Sequence, residues 1–219
     1  MEQLPLIISL VIVVAVVLVI VFAGKKSFGK FRTRDIVAIG IGAALYAVVS
    51  LLIIPVGPNT SFRIAIALLT ILGSIFGPIV GFLAGFIGHA LNDAFMYGSV
   101  WWSWAFMSAF IGLFAGLICK DKTFDVLGGK INGKQIALMY VLAVAGMAVG
   151  SLASYAGDVF LYGEPADKVW LQIIIANAMN LIVVGVIGIP VTIAIAKIRG
   201  RGRNLEIEED PPDDQLQEE

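Results

Sequence analysis

The chain has 219 residues, 59% of them hydrophobic and only 14% charged, and its mean hydropathy is +0.94. Soluble domains carry about 25% charged residues, so the composition excludes a soluble globule and points to a polytopic membrane protein. The formal net charge of −1 hides an uneven distribution, and the single cysteine, Cys119, excludes an internal disulfide and a CxxC redox pair.

A helix needs about 20 apolar residues to cross the bilayer core. Seven segments qualify, near 5–23, 35–54, 62–76, 78–97, 101–119, 136–156 and 169–196. The first belongs to residues 1–24, an N-terminal anchor. Its front end carries Glu2 rather than a positive charge, and its long apolar run lacks a small-x-small cleavage pattern, so it reads as uncleaved. A basic linker, 25–34, follows. The third segment is short, and Pro78 divides it from the fourth, so the two form a helical hairpin through GSIFGP. The last twenty residues, 200–219, close the chain as a tail. Its final fifteen hold eight acids and no base, the signature of a solvated, disordered segment.

Orientation follows from the bases. With Met1 outside, the 24–34 loop, the 120–135 loop and the C-terminal flank lie inside, and they hold thirteen of the fifteen Lys and Arg residues. Only Arg63 and Lys168 fall outside, as the positive-inside rule requires. The expected fold is therefore an all-α, multi-pass cell-membrane protein of seven spans, N-terminus outside and C-terminus inside, with the lipid bilayer as its surroundings and no nucleic-acid partner.

Two segments imitate a phosphate-binding loop: GKKSFGKF (24–31) and GGKINGKQ (128–135). Each lacks the Ser/Thr that would hold magnesium, and neither lies between a strand and a helix. No ATPase site is expected in this chain. His89, Asn92 and Asp93 share a helix face, but one histidine and one carboxylate are too few for zinc. Neither a metal nor another cofactor is expected, and intramembrane enzyme chemistry is a minor reading.

The candidate site is assembled from polar and aromatic groups that are costly inside a membrane. They are Asn59, Arg63, His89, Asn92, Asp93, Tyr97, Trp101, Trp102, Trp104, Asn177 and Asn180. Each has a plain structural reading as well. An Asn can bond a neighbouring helix, Arg63 can snorkel to head groups, and the tryptophans can form an interfacial belt. Together, however, they lie in the outer half of the expected bundle, which favours a pocket open to the outside with an aromatic wall and a few orienting groups. The inner half is smooth instead. Gly40, Ala43, Ala44 and Ala47 form a small-residue stripe, and Gly77, Gly81 and Gly85 a ladder at i+4 spacing. Both suit close helix packing, and the stripe also suits docking of another membrane protein.

From Thr33 to Arg199 the chain resembles the substrate-binding S components of energy-coupling factor (ECF) vitamin transporters. The resemblance rests on the small-residue stripe, the PVGPNT loop, GPIVGFLAGFIGHALND and WWSW. It implies a six-helix S-component core, residues 35–199, that captures a vitamin and works with a membrane T component and two ABC-type ATPases. It further implies that Ala43 and Ala47 dock the T component and that the loop near 55–62 closes over substrate. Relatives with this pattern suggest cobalamin first and the pyrimidine precursor of thiamine second. The extra N-terminal span and the acidic tail lie outside the pattern. A structural or regulatory membrane subunit without a ligand is the alternative.

Overall fold

The computed structural model describes residues 3–24, 32–57 and 60–206. Most of the basic linker, Asn59 and the tail beyond 206 lie outside the described residues. Helix α1 is Gln3–Gly24 and α2 is Thr33–Val49. Strands β1 (Ile53–Gly57) and β2 (Thr60–Arg63) follow, then α3 (Ile66–Phe76), α4 (Pro78–Tyr97) and α5 (Trp102–Gly116), which a 3₁₀ turn extends to Lys120. Helix α6 (Gly133–Ala156) runs on through a π-helical turn, Gly157–Leu161. Helices α7 (Ala166–Val183) and α8 (Ile189–Glu206) are joined by a second π turn, Val184–Gly188.

Local chemistry explains the boundaries. Asp35 accepts from the Arg32 backbone N–H at 2.7 Å and caps α2. Pro78 occupies the first turn of α4, where its missing N–H costs nothing. Gly98, at φ 70°, ends the helix in the left-handed conformation that glycine adopts without strain. Asn132 and Gln135 form a reciprocal capping box at the start of α6, with bonds of 3.0 and 2.9 Å. The GGKINGKQ segment is thus a turn running into a capped helix. Pro190 cannot donate to the fourth residue before it, and the π turn lies immediately ahead of it, where the ladder has to adjust. Tyr140 Oη and Thr192 Oγ1 donate to the Gly185 and Gly188 carbonyls at 3.0 and 2.8 Å, supplying partners at that turn.

The fold differs from the sequence expectation at three places. The segment at 62–76 is not one helix. Residues 60–63 pair antiparallel with 53–57 (Ile53 opposite Arg63, Ile54 opposite Phe62), and only 66–76 are helical. Eleven helical residues reach about 16 Å, roughly half of a bilayer core. The fold is therefore helical with one hairpin rather than purely α. Second, the last helix extends through residues 200–206, which the composition assigned to the tail. Third, four helical stretches among the described residues are long and apolar enough to cross a membrane: Pro78–Tyr97, Trp102–Lys120, Gly133–Leu161 and Ala166–Gly202.

The bundle is built on the α4–α5 contact. A Cβ on Gly81 would run into the Gly112 carbonyl, and one on Gly85 would meet the Ser108 carbonyl at 2.7 Å, so the two backbones touch. Gly77, the first rung of the expected ladder, has open space around it and serves the turn instead, at φ 95°. One core cluster joins Tyr46, Leu69, Met107, Ile111, Met147, Val183 and Ile189. A second joins Phe82, Phe86, Phe106 and Leu113, and Val13 and Val16 of α1 pack against it. The extra N-terminal helix thus lies on α4 and α5. Large apolar side chains such as Val141, Ile174 and Val186 face outward, the arrangement expected of a body solvated by lipid.

Candidate functional site

At the end of the bundle where the hairpin, the α4–α5 turn and the α6–α7 connection meet, the helices enclose a cavity of about 320 Å³. Three helices supply most of the lining, each from one face, and Tyr46 of α2 and Ile66 of α3 add to it. From α4 come His89 and Asp93, with Tyr97 one turn further on. From α7 come Lys168, Gln172, Ala176 and Asn180 at strict i+4 spacing. From the start of α5 come Trp101, Trp104, Met107 and Ser108. Thr60, Ser61 and Arg63 of β2 close one side, and Asp158 and Glu164 another.

Arg63, His89, Asp93, Tyr97, Trp101, Trp104 and Asn180 are therefore brought together, as expected of one site. Three other candidates point elsewhere. Asn92 is almost fully buried between α4 and α2, with its amide 3.5 Å from the Ala47 carbonyl. Trp102 stacks on Phe86 in the second core cluster, ring centroids 5.7 Å apart. Asn177 donates to Ser151 of α6 at 2.7 Å. Helix phase separates each from its cavity-lining neighbour, since one residue along a helix turns the side chain by about 100°.

A polar chain runs from the cavity into the core. His89 Nε2 lies 3.4 Å from Arg63 Nη1 and 3.5 Å from Asp93 Oδ1. Its Nδ1 is 2.7 Å from Ser108 Oγ, which is 3.0 Å from the Tyr46 hydroxyl. Because a guanidinium only donates, the Arg63 contact suits a His89 that accepts at Nε2 and donates from Nδ1 to Ser108. Asp93 Oδ2 also accepts from the Trp101 backbone N–H at 3.2 Å, which ties the end of α4 to the start of α5. At the mouth, Lys168 pairs with Glu164 at 2.6 Å.

The sequence pattern does not single out Asp158, which is buried and accepts from Trp101 Nε1 at 2.7 Å, from Trp104 Nε1 at 2.8 Å and from Ser103 Oγ. Nor does it single out Tyr46, Ser108, Lys168, Glu164 and Gln172. Helical spacing held part of that signal: Ser108 follows Trp101 and Trp104 at +7 and +4, and Lys168 and Gln172 precede Asn180 by twelve and eight residues on one face. Tyr162, beyond α6, stacks on Trp101 with ring centroids 4.9 Å apart and accepts from the Trp102 backbone N–H at 3.2 Å. Burial pushes its phenol above the usual tyrosine range, so it is neutral at physiological pH.

The wall combines indole and phenol faces with three carboxylates (Asp93, Asp158, Glu164) and two cations (Arg63, Lys168). Among the described residues, no group of three His, Cys, Asp or Glu side chains is placed to hold a metal ion. The arrangement can stack a flat ring and hydrogen-bond its edge.

The expected docking stripe divides. Ala43 and Ala47 are buried at 2% and 3% exposure against α4, where Gly88 comes close to Ala43 and Tyr46. Gly40 and Ala44 face outward, together with Ile41, Leu45 and Val48. In this conformation the pair singled out by the resemblance is internal packing, because its face of α2 meets α4.

The model of the family described as "ECF-type riboflavin transporter, S component" matches residues 30–197. A UPF0397 protein of Vibrio atlanticus (strain LGP32) is 40% identical over 178 residues, covering 80% of this chain and 98% of the relative.

Proposed function

The chain belongs to the family of ECF-type riboflavin transporter S components, a family of membrane proteins, and on that premise we propose that its cavity captures a small heteroaromatic vitamin or vitamin precursor that carries no net negative charge. The observation that carries this reading is the cavity itself. It is closed on several sides, walled by Trp101, Trp104 and Tyr97, and lined by more carboxylates than cations. A volume of about 320 Å³ lies at the low end of small-molecule sites, roughly 300–1,000 Å³. That size suits a pyrimidine or a flavin-sized ring system. It argues against a whole corrinoid, so the order of ligands suggested by the sequence resemblance is reversed here: the thiamine pyrimidine precursor comes before cobalamin, and a flavin joins it.

S components of this class work with a T component and ATPases in the membrane. In the proposed arrangement the N-terminus lies outside and the C-terminus inside, with α3 reaching only part-way through the bilayer, so that the cavity faces the exterior, and Arg63 and Lys168, the two bases assigned outside, both line it. Docking on the T component uses the outward row of α2, Gly40 and Ala44, where small side chains admit a second helix.

Calorimetric titration of the purified chain, without ATP or partners, tests the capture reading. The panel is the thiamine pyrimidine precursor, riboflavin and cobalamin, with biotin and folate as anionic controls. One small uncharged or cationic ring compound should bind at one-to-one stoichiometry, and biotin and folate should not. No binding across the panel would overturn capture, and binding of biotin or folate would overturn the charge argument.

A further inference from the structure

We propose that Asp158 is the positioning residue of the cavity: its carboxylate holds the Trp101 and Trp104 indoles in the planes against which the ligand ring stacks. The inference rests on the capture reading above, but its geometry is independent of any ligand. Each indole has one N–H donor and no acceptor, and a carboxylate has about four acceptor sites. Trp101 Nε1 meets Oδ1 at 2.7 Å, Trp104 Nε1 meets Oδ2 at 2.8 Å, and Ser103 Oγ supplies a third donor to Oδ1. One anion thus fixes two rings from adjacent turns of the α5 start, and all three donors are neutral groups on one short segment. Asp158 is 2% exposed, so water does not compete for these bonds.

The backbone is shaped for this reach. Asp158 sits in the π turn that ends α6, and such turns re-aim side chains relative to the regular helix. Its neighbour Gly157 faces Ser103, where an added Cβ would come within 2.6 Å of the serine Cβ. The glycine lets α6 approach α5 closely enough for the next side chain to bridge them. Tyr162 then covers the other side of Trp101 by stacking, so that indole is held both at its N–H and on its face. Rings ordered before the ligand arrives avoid the ordering cost that binding would otherwise include.

Asp158→Asn tests this, because it keeps the shape and one acceptor but turns an N–H₂ toward an indole N–H. The full-length purified chain is compared with the variant by ultraviolet resonance Raman of the indoles, without ligand, and by titration with riboflavin and with the thiamine pyrimidine precursor. The variant should show one indole N–H moving to a weaker hydrogen bond, and the compound that binds wild type should lose affinity on the order of tenfold. Trp104→Phe, which leaves Asp158 in place, gives a second route if Asp158→Asn does not fold. It should lose affinity to a similar degree, and adding Asp158→Asn to it should multiply that loss by less than the single variant does alone. An unchanged indole signature, an affinity within twofold of wild type in either variant, or losses that simply multiply would each overturn the positioning role. If wild type binds neither compound, it is the capture reading that loses support, and the indole signature still decides whether Asp158 holds the rings.

Discussion

The two ends of the bundle solve the same problem differently. Around the loop between α5 and α6, polar side chains are satisfied by near neighbours: Asp121 by Thr123, Asp125 by the Gly128 N–H, and Gln135 by Asn132 and, fourteen residues away, by Asp121. Around the cavity, apart from Lys168–Glu164 at the mouth and Asp93 with the Trp101 backbone, the partners are distant in sequence. His89 meets Ser108 nineteen residues on, Arg63 meets His89 across twenty-six, and Asp158 meets its three donors across fifty-four to fifty-seven. Local bonds define where a helix starts and would form in any arrangement of the bundle. Long-range bonds exist only once α4, α5, α6 and the hairpin are assembled, so the cavity is a product of the whole fold. Asp121 shows the local kind clearly: hydrogen bonds from Gln135 and Thr123 hold its carboxyl below the usual aspartate range.

This contrast can be broken at several points. The largest effect belongs to the α4–α5 contact on which both ends depend. Gly81→Leu inserts a side chain where the Gly112 carbonyl already sits, and overpacking of this kind costs about 1–3 kcal/mol or more. The variant should melt well below wild type in detergent and lose ligand binding with it. Asp93→Ala comes next. It removes a carboxylate that accepts from the Trp101 backbone N–H and so ties the end of α4 to the start of α5, and hydrogen bonds to charged groups contribute about 1.5–3 kcal/mol. Ligand affinity measured by calorimetry should fall tenfold or more while the melting temperature moves by a few degrees. Gln135→Ala removes one half of the α6 capping box and the bonds to Asp121 and Thr123 and should lower stability by about 1 kcal/mol or more, leaving ligand affinity unchanged. Asn177→Ala removes only the bond to Ser151, which at about 0.6 kcal/mol should shift the melting temperature slightly and the affinity by less than twofold. A loss of affinity in the last two variants would erase the distinction between the ends.

Docking gives a separate check on α2. Ala44→Trp should stop uptake in cells that carry the partners and leave binding intact, because Ala44 faces outward. Ala43→Trp should damage folding instead, because Ala43 is packed against α4.

Much of this was legible in the sequence. Four long helices follow from hydropathy, and seven of the residues that line the cavity follow from the cost of polar groups in lipid. The rest depended on facts that composition does not hold. Neighbouring pairs such as Asn177 and Asn180, or Trp102 and Trp104, look equivalent until helix phase assigns one to a packing face and one to the cavity. The hairpin was hidden because TSFR continues directly into the apolar run of α3, and the apolar IIPV that it pairs with follows directly on the apolar run of α2. Asp158 was passed over because a lone acid near a helix end looks solvated. Only the close approach at Gly157 and the π turn bring it under two indoles.

The central claim is that the cavity, and not the aromatic segment as such, holds the solute. Trp102 and Trp104 separate the two, since they are neighbours in sequence and Trp104 lines the cavity while Trp102 packs on Phe86. Calorimetric titration of the bound vitamin into Trp104→Leu and Trp102→Leu, side by side, is the direct measurement. Stacking of a flat ring on an aromatic side chain contributes about 1–3 kcal/mol, so Trp104→Leu should weaken binding by roughly fivefold to a hundredfold, and Trp102→Leu by less than twofold in the protein that remains folded. Equal losses, or the larger loss in Trp102→Leu, would contradict the account.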